Sequence, residues 1–346
     1  MKPLVSILIP AFNAGEWIAD TIESALAQTW PQKEIIVVDD GSTDQTLSLA
    51  QRFASRGVSV LTQENQGAAA TRNRAYASSR GDYIQWLDAD DLLSLDKITK
   101  QMEALEQCRG RRTLLSCAWG RFMYRPSKAK FSPSALWCDL SPLEWLTRKM
   151  EQNLHMQTAT WLVSRGLCEA AGPWDTRLLG DDDGEYFARV LLASDGVRFV
   201  PESRVFYRFS GPGSLSYIGR SDRKMEAQFR SLELNIKYLR SLEDSERVRA
   251  ACLKYLQGYL YFFYPQRSDL VKECGQLAAA LGGRLEAPRM SWKYASIKTL
   301  FGWDAAKQTQ LRYNKMKWWV KRAWDRALFR WERQNLGVNG RMGVSR

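Results

Sequence analysis

The feature that most constrains this chain is the alternation, across its first third, of short β-rich runs and amphipathic helical stretches, with carboxylates just past the ends of the runs. Leu4 to Ile9 is a strand-like run stopped by Pro10, and Ile18, Ile22, Ala25 and Leu26 then fall on one helical face. Glu34 to Val38 is an apolar run suited to a strand covered on both sides, and it ends in Asp39-Asp40-Gly41-Ser42. Ser42 and Gln45 have the spacing of a capping box for a helix carrying Leu47, Ala50 and Phe53. Val58 to Leu61 reads as a third strand, the polar segment Gln63 to Gly67 leads into another helix, and Asp82 to Leu87 reads as a fourth strand. Repeated units of this kind imply an α/β fold, a mostly parallel, twisted, Rossmann-like sheet with helices on both faces. Ligands of such sheets sit at the carboxyl ends of the strands, which here carry Phe12-Asn13, Asp39-Asp40 and Asp88-Ala89-Asp90-Asp91.

Further along, Ile98, Met102 and Leu105 mark a helix, Thr113 to Trp119 a strand, and Thr158 to Val163 another strand. Ser141-Pro142-Leu143-Glu144 is a helix start, with serine as N-cap, proline at the first helical position and a capping glutamate. Leu178 to Asp183 opens a helix that runs through Arg189, and from about residue 220 the pattern is helical. The expected division is a catalytic domain over 1–218, with one functional half at about 1–105 and the other at about 106–218, followed by a helical extension over 219–346.

A chain of 346 residues with 45% apolar and 25% charged residues can bury a full core unaided. The six cysteines, Cys108, Cys117, Cys138, Cys168, Cys252 and Cys274, show no Cys-x-x-Cys spacing and follow no secretory signal, so they read as reduced core thiols of a cytoplasmic protein. The longest apolar cluster, Tyr259 to Tyr264, is far below the ~18 residues that span a bilayer. The net charge is +12, and its distribution is uneven. Between residues 311 and 333 eight basic side chains stand against the two acidic ones, Asp325 and Glu332, so this stretch supplies +6.

Three carboxylates in the four residues Asp88-Ala89-Asp90-Asp91 repel one another unless a cation compensates them, and oxygen ligands suit Mg²⁺ or Mn²⁺. A solvated acidic turn would carry the same residues. Context separates the two. The string Val5 to Asn13, then Glu34 to Asp44, then Gly67 with Arg72-Asn73, then Leu87 to Asp91, closely resembles glycosyltransferase family 2, over about residues 3 to 105 and more loosely to about 217. The resemblance implies a GT-A fold, a nucleotide-sugar donor with uridine diphosphate as the expected carrier, a divalent metal, and inversion at the anomeric carbon.

On the same resemblance, Pro10 and Phe12 match the loop under the nucleobase and ribose, Asp40 the acceptor of a base N–H, and Asp39 a supporting carboxylate. Arg72 is similar to the arginine beside the donor pocket. Asp88 matches the first acid of the Asp-x-Asp motif, facing donor hydroxyls, and Asp90 the direct metal ligand. Asp182-Asp183 resembles the acidic pair at a helix head, with Arg189 six residues beyond; Asp183 takes the general-base position, Asp182 stands where glutamate is usual, and Asp181 adds a third acid. Tyr207 to Ser216 resembles the loop that closes over the donor and often supplies a histidine. No histidine occurs there, and the single one, His155, lies upstream, so the third metal ligand is left among water, Ser210 or none.

Met316, Val320, Ala323, Trp324, Ala327, Leu328 and Trp331 fall on one helical face among lysines and arginines. Such a helix either lies on an anionic membrane or packs on the catalytic domain. The expected partners are therefore a nucleotide-sugar donor, a glycan or lipid-linked acceptor, and an anionic membrane surface through 311–333, with no nucleic acid; the site of action is the cytoplasm or the inner face of its membrane. A nucleotidylyltransferase or a dinucleotide dehydrogenase would need a glycine-rich loop after the first strand, where this chain has Pro10-Ala11-Phe12-Asn13. The remaining rival is a non-catalytic nucleotide-sugar binding or scaffold protein.

Overall fold

The computed structural model describes residues 2–108, 112–210 and 221–335. The first half contains β1 (Val5–Ala11), α1 (Ile18–Leu26), β2 (Lys33–Asp39), α2 (Thr46–Gln51), β3 (Val58–Thr62), α3 (Ala68–Ala77), β4 (Tyr83–Trp86), β5 (Leu92–Leu93), α4 (Lys97–Glu106), β6 (Thr113–Phe122) and β7 (Lys130–Phe131). The second half contains α5 (Pro142–Gln152), β8 (Val163–Ser164), α6 (Arg165–Ala171), α7 (Asp182–Ala193), β9 (Gly196–Arg208), α8 (Asp222–Leu242), α9 (Glu246–Phe263), α10 (Ser268–Ala280) and α11 (Ala295–Asn335), the last broken at Gly302.

The main sheet has the order β3-β2-β1-β4-β8, parallel except for β8. The alternating units of the sequence are thus found as a parallel sheet, because each short loop-helix-loop returns the chain to the same edge-to-edge direction. β2 is buried along Ile35 to Asp39, as an apolar run covered on both faces should be. A second sheet, β5-β9-β6-β7, pairs β6 with β9 in parallel.

Four local expectations change. β1 runs through Pro10 to Ala11, with Pro10 opposite Val38. The Ser42–Gln45 capping box does not form: Ser42 Oγ accepts from Asn13 N at 2.9 Å, and Asp44 instead accepts from Thr46 N at 2.9 Å at the start of α2. Residues 158–160 form a 3₁₀ turn, leaving only Val163–Ser164 as strand. All six cysteines are free, but Cys138 is exposed and Cys108 half-buried, so only four are core thiols. By contrast, Ser141 caps α5, accepting from Glu144 N at 3.2 Å.

One hydrophobic core runs from Leu8 and Trp86 in the sheet through Trp161, Trp174, Tyr186 and Phe187 to Leu256, Cys274 and Leu281 in the C-terminal helices. The division expected at about 218 falls outside the described residues. No described helix is long and apolar enough to cross a membrane.

Helix α11 lies against the body by one face. Asp325 accepts from Tyr124 N at 2.9 Å and from Arg125 Nε at 2.8 Å, Glu332 accepts from Arg125 Nη1 at 2.7 Å, and Arg322 reaches Glu16 and Tyr124. Trp318 meets Phe209 edge-on at 6.4 Å, and Phe329 lies 6.0 Å from Tyr124. At 3.6 residues per turn, 318, 322, 325, 329 and 332 share a face roughly opposite to Met316, Val320, Ala323, Trp324, Ala327 and Trp331, all of which are exposed. Leu328, the remaining member of the stripe, is half-buried, so the stripe as a whole is not what docks the helix.

Candidate functional site

The carboxyl ends of β1, β2 and β4 meet the N-termini of α3 and α7, so the site forms where the backbone leaves the sheet. Pro10 is the last residue but one of β1, and Phe12, just beyond the strand, is 50% exposed. Asn13, in the left-handed region at φ 48°, accepts from Thr43 N at 2.9 Å and so joins the loops after β1 and β2.

Asp39 and Asp40 are both buried. Asp39 Oδ2 accepts from Ser42 N at 3.2 Å, while its Oδ1 has no hydrogen-bond partner among the described residues. Asp40 accepts from Gln63 Nε2 at 2.7 Å and from the backbone N–H groups of Gln66 at 2.9 Å and Gly67 at 2.8 Å. Those three bonds hold the 63–67 loop against β2; a base N–H would have to share the carboxylate with them. Gly67, at φ 89°, then turns the chain into α3.

Arg72 ties the pocket together. It is 5% exposed, its Nη1 donates to Asp182 Oδ2 at 2.6 Å, its Nη2 donates to Asp88 Oδ1 at 2.9 Å, and its guanidinium carbon lies 4.5 Å from the ring centre of Trp174. Burial works against its charge, but Asp182, Asp88 and Asp183 outweigh that and hold it protonated. The same burial raises Asp182 to about 6, Arg72 opposing and Asp183 adding to the shift.

The three acids after β4 have different surroundings. Asp88 faces Arg72 and is part-exposed. Asp90 is raised to about 6 by burial and by Asp88, with Arg208 opposing. Asp91 is fully buried, accepting from Arg208 N at 2.8 Å and from Gln157 Nε2, and burial together with Asp90 pushes its pKa well up. Asp91 therefore fixes the turn, while Asp88 and Asp90 lie close enough to act on each other electrostatically. Among the described residues no group of three or more histidine, cysteine, aspartate or glutamate side chains forms a metal cage. The pair still fits a hard divalent ion, which takes only one or two protein carboxylates and fills its shell with water and phosphate, and which would relieve the repulsion that raises Asp90.

At the head of α7, Asp183 Oδ2 accepts from Thr158 Oγ1 at 3.2 Å. Asp181, in the left-handed region at φ 54°, turns away to Ser231 Oγ at 2.6 Å and Gln228 Nε2 at 3.1 Å, so it braces α8. Arg189 pairs with Glu185 at 2.8 Å and braces α7. Of the loop expected over 207–216, Tyr207 and Arg208 belong to β9, and 211–216 lie outside the described residues.

Arg208 and Gln157 were missed in the sequence. Arg208 Nε donates to Asp90 O at 2.7 Å and Nη1 to Met123 O at 3.0 Å, with its guanidinium carbon 4.0 Å from Trp17 and 4.5 Å from Phe122 ring centres. Both act on the acid turn from more than 60 positions away, and no local pattern announces such a contact.

Comparison with known proteins fits this geometry. Residues 6–127 match the model of Glycosyl transferase family 2. Over 105 residues the chain is 44% identical to the putative teichuronic acid biosynthesis glycosyltransferase TuaG of Bacillus subtilis, a stretch that covers 30% of this chain and 42% of that protein. The chain spans less than half the length of the first relatives it matches. Among solved structures, S. aureus TarS 1–349 in complex with UDP-GlcNAc is similar with a TM-score of 0.64 at 16% identity, covering 80% of this chain and 81% of that one. The mannosyltransferase PcManGT from Pyrobaculum calidifontis, in complex with GDP-Man and Mn²⁺, gives 0.55 at 19% identity over 94% and 88%. At these identities the likeness is one of fold. Residues 6–127 thus carry the match to glycosyltransferase family 2, and the chain has the GT-A fold.

Proposed function

We propose that this protein moves a sugar from a nucleoside diphosphate donor, with uridine diphosphate as the carrier, to an acceptor hydroxyl in the synthesis of a bacterial surface polysaccharide. One observation carries the reading: Arg72 joins Asp88, after β4, to Asp182, the neighbour of Asp183 at the head of α7. The name of TuaG supports a cell-envelope glycan as the product class.

In this reading Phe12 and the loop held by Asp40 receive the base, and Asp88 orients the donor hydroxyls. Asp88 and Asp90 would hold a divalent cation, Mn²⁺ or Mg²⁺, whose chemistry is to neutralise charge on the departing diphosphate. Asp183 takes the proton of the acceptor hydroxyl as that oxygen forms its bond to the anomeric carbon and the carbon–phosphate oxygen bond breaks on the opposite face. The single displacement inverts the anomeric centre. Asp182, neutralised in part by Arg72, positions the head of α7.

Helix α11 adds a membrane contact. Its outward stripe exposes Met316, Val320, Trp324 and Trp331, flanked by Arg312, Lys317, Lys321 and Arg330, and this complements an anionic lipid surface.

The test is a thermal-shift series with nucleotide sugars, with and without Mn²⁺, on wild type and Asp90→Ala. A donor that binds the folded state raises its melting temperature. A manganese-dependent rise lost in Asp90→Ala is the expected result. A rise with no sugar transfer under any acceptor would favour the scaffold reading, and no rise with any donor would end both.

A further inference from the structure

Beside the candidate base lies a cavity of about 270 Å³, lined by Trp119 and Arg121 of β6, Lys130 of β7, Trp137, Leu154 and His155. It is close to the lower end of small-ligand pockets, about 300 Å³, and so has room for one sugar ring. His155 stands three residues before Thr158, whose hydroxyl donates to Asp183 at 3.2 Å, and the Asp183 carboxylate acts electrostatically on His155. His155, in the wall of the cavity, thus lies near the candidate base.

Its cations are arranged at a cost. In the antiparallel pairing of β6 with β7, Arg121 is directly opposite Lys130. Like charges directly opposite in a sheet destabilise it. A Cβ at Gly120 would meet the Phe131 ring at 2.7 Å, so glycine is what lets the two strands close and sets those charges face to face. Arg121 does find an aromatic face, its guanidinium carbon lying 5.1 Å from the Trp119 ring centre, and it reaches His155 Nε2 at 3.4 Å. Neither contact supplies a negative charge.

We infer that this cavity is an acceptor subsite for an acidic sugar, in which the carboxylate or phosphate of the ring sits between Arg121 and Lys130 and the ring itself lies against Trp119. The anion would offset the cross-strand repulsion between the two cations. Trp119 is held for this by edge contact with Tyr207 at 5.8 Å and by the His155 ring at 5.1 Å. The inference names the substrate class of the transferase reading and rests on it.

The test is binding of D-glucuronate, D-glucose and inorganic phosphate to the full chain by ligand-observed NMR, in wild type and in Arg121→Gln/Lys130→Gln. Glucuronate should bind at least about tenfold more tightly than glucose, the scale of one charge-assisted hydrogen bond, and the double variant should lose that preference. The variant should also melt above wild type when no anion is present, whereas a pair kept for structure would melt below. Equal binding of the two sugars, or an unchanged preference in the variant, overturns the subsite. Inorganic phosphate binding as tightly as glucuronate overturns the sugar part of the proposal. The variant's donor-induced thermal shift should match wild type, so a failure here is separable from a failure to bind donor at all.

Discussion

Arg72 donates to Asp182 at 2.6 Å across 110 positions of sequence, and through that bond the helix carrying the candidate base is registered against the sheet carrying the donor acids. Removing one partner of a buried charge network leaves the others uncompensated, at about 3 kcal/mol or more. Arg72→Met should therefore lower stability by about 3 kcal/mol in urea denaturation. Arg72→Lys should recover part of it, since an ammonium keeps the charge but not the two-pronged geometry.

Asp183→Asn keeps the size of the side chain and one of the two bonds it accepts, from Thr158 or from Gly184 N, while removing the proton acceptor. Transfer should fall by about 10² to 10⁴-fold with donor binding retained. Turnover and donor titration on the same sample would check this, and near-normal turnover would take the base role away from Asp183.

Lys97 is fully buried, contacting Gln85 Oε1, and burial lowers its pKa to about 8, with Cys117 opposing. Below about 8 it is charged in both folded and unfolded chains. Between about 8 and its ordinary 10.5 the folded protein has released a proton that the unfolded chain still holds, so stability should climb with pH in that window. The climb is on the order of 3 kcal/mol at most. Lys97→Met should flatten it relative to wild type in denaturation curves from pH 7.5 to 10.5.

Replacing Val320, Trp324 and Trp331 by serine removes apolar area from the outward face of α11 without touching Asp325 or Glu332. Binding to anionic vesicles should drop at least tenfold while the melting temperature stays put. Vesicle binding equal to wild type would make this stripe irrelevant to lipid. Separately, Arg125→Ala breaks two of the ion pairs that hold the helix and should speed protease cleavage between 311 and 335.

Much of the fold could be read from the chain because its determinants are local. Runs such as Glu34 to Val38 and the serine-proline start at 141 need only neighbours to define them. Asp88, Asp90 and Asp183 could be picked out as ordered motifs, although nothing local joined Asp88 to Asp182. That link needs Arg72, buried between them. The division of labour within Asp88-Ala89-Asp90-Asp91 was equally hidden, since Asp91 is claimed by Gln157 and Arg208 from distant elements. Ser42 was misread because a cap is a competition: its hydroxyl went to Asn13, and Asp44 took the helix. The face by which α11 docks was also invisible, because it is built from ion pairs to Arg125 and Glu16 and hydrogen bonds to Tyr124 rather than from the apolar stripe.

Arg125, clamped by Asp325 and Glu332, is only four positions beyond Arg121 on the same length of backbone. Releasing Arg125 from the long helix should therefore loosen the end of the strand that carries Arg121, so the seating of the helix and the shape of the cavity are linked along one stretch of backbone.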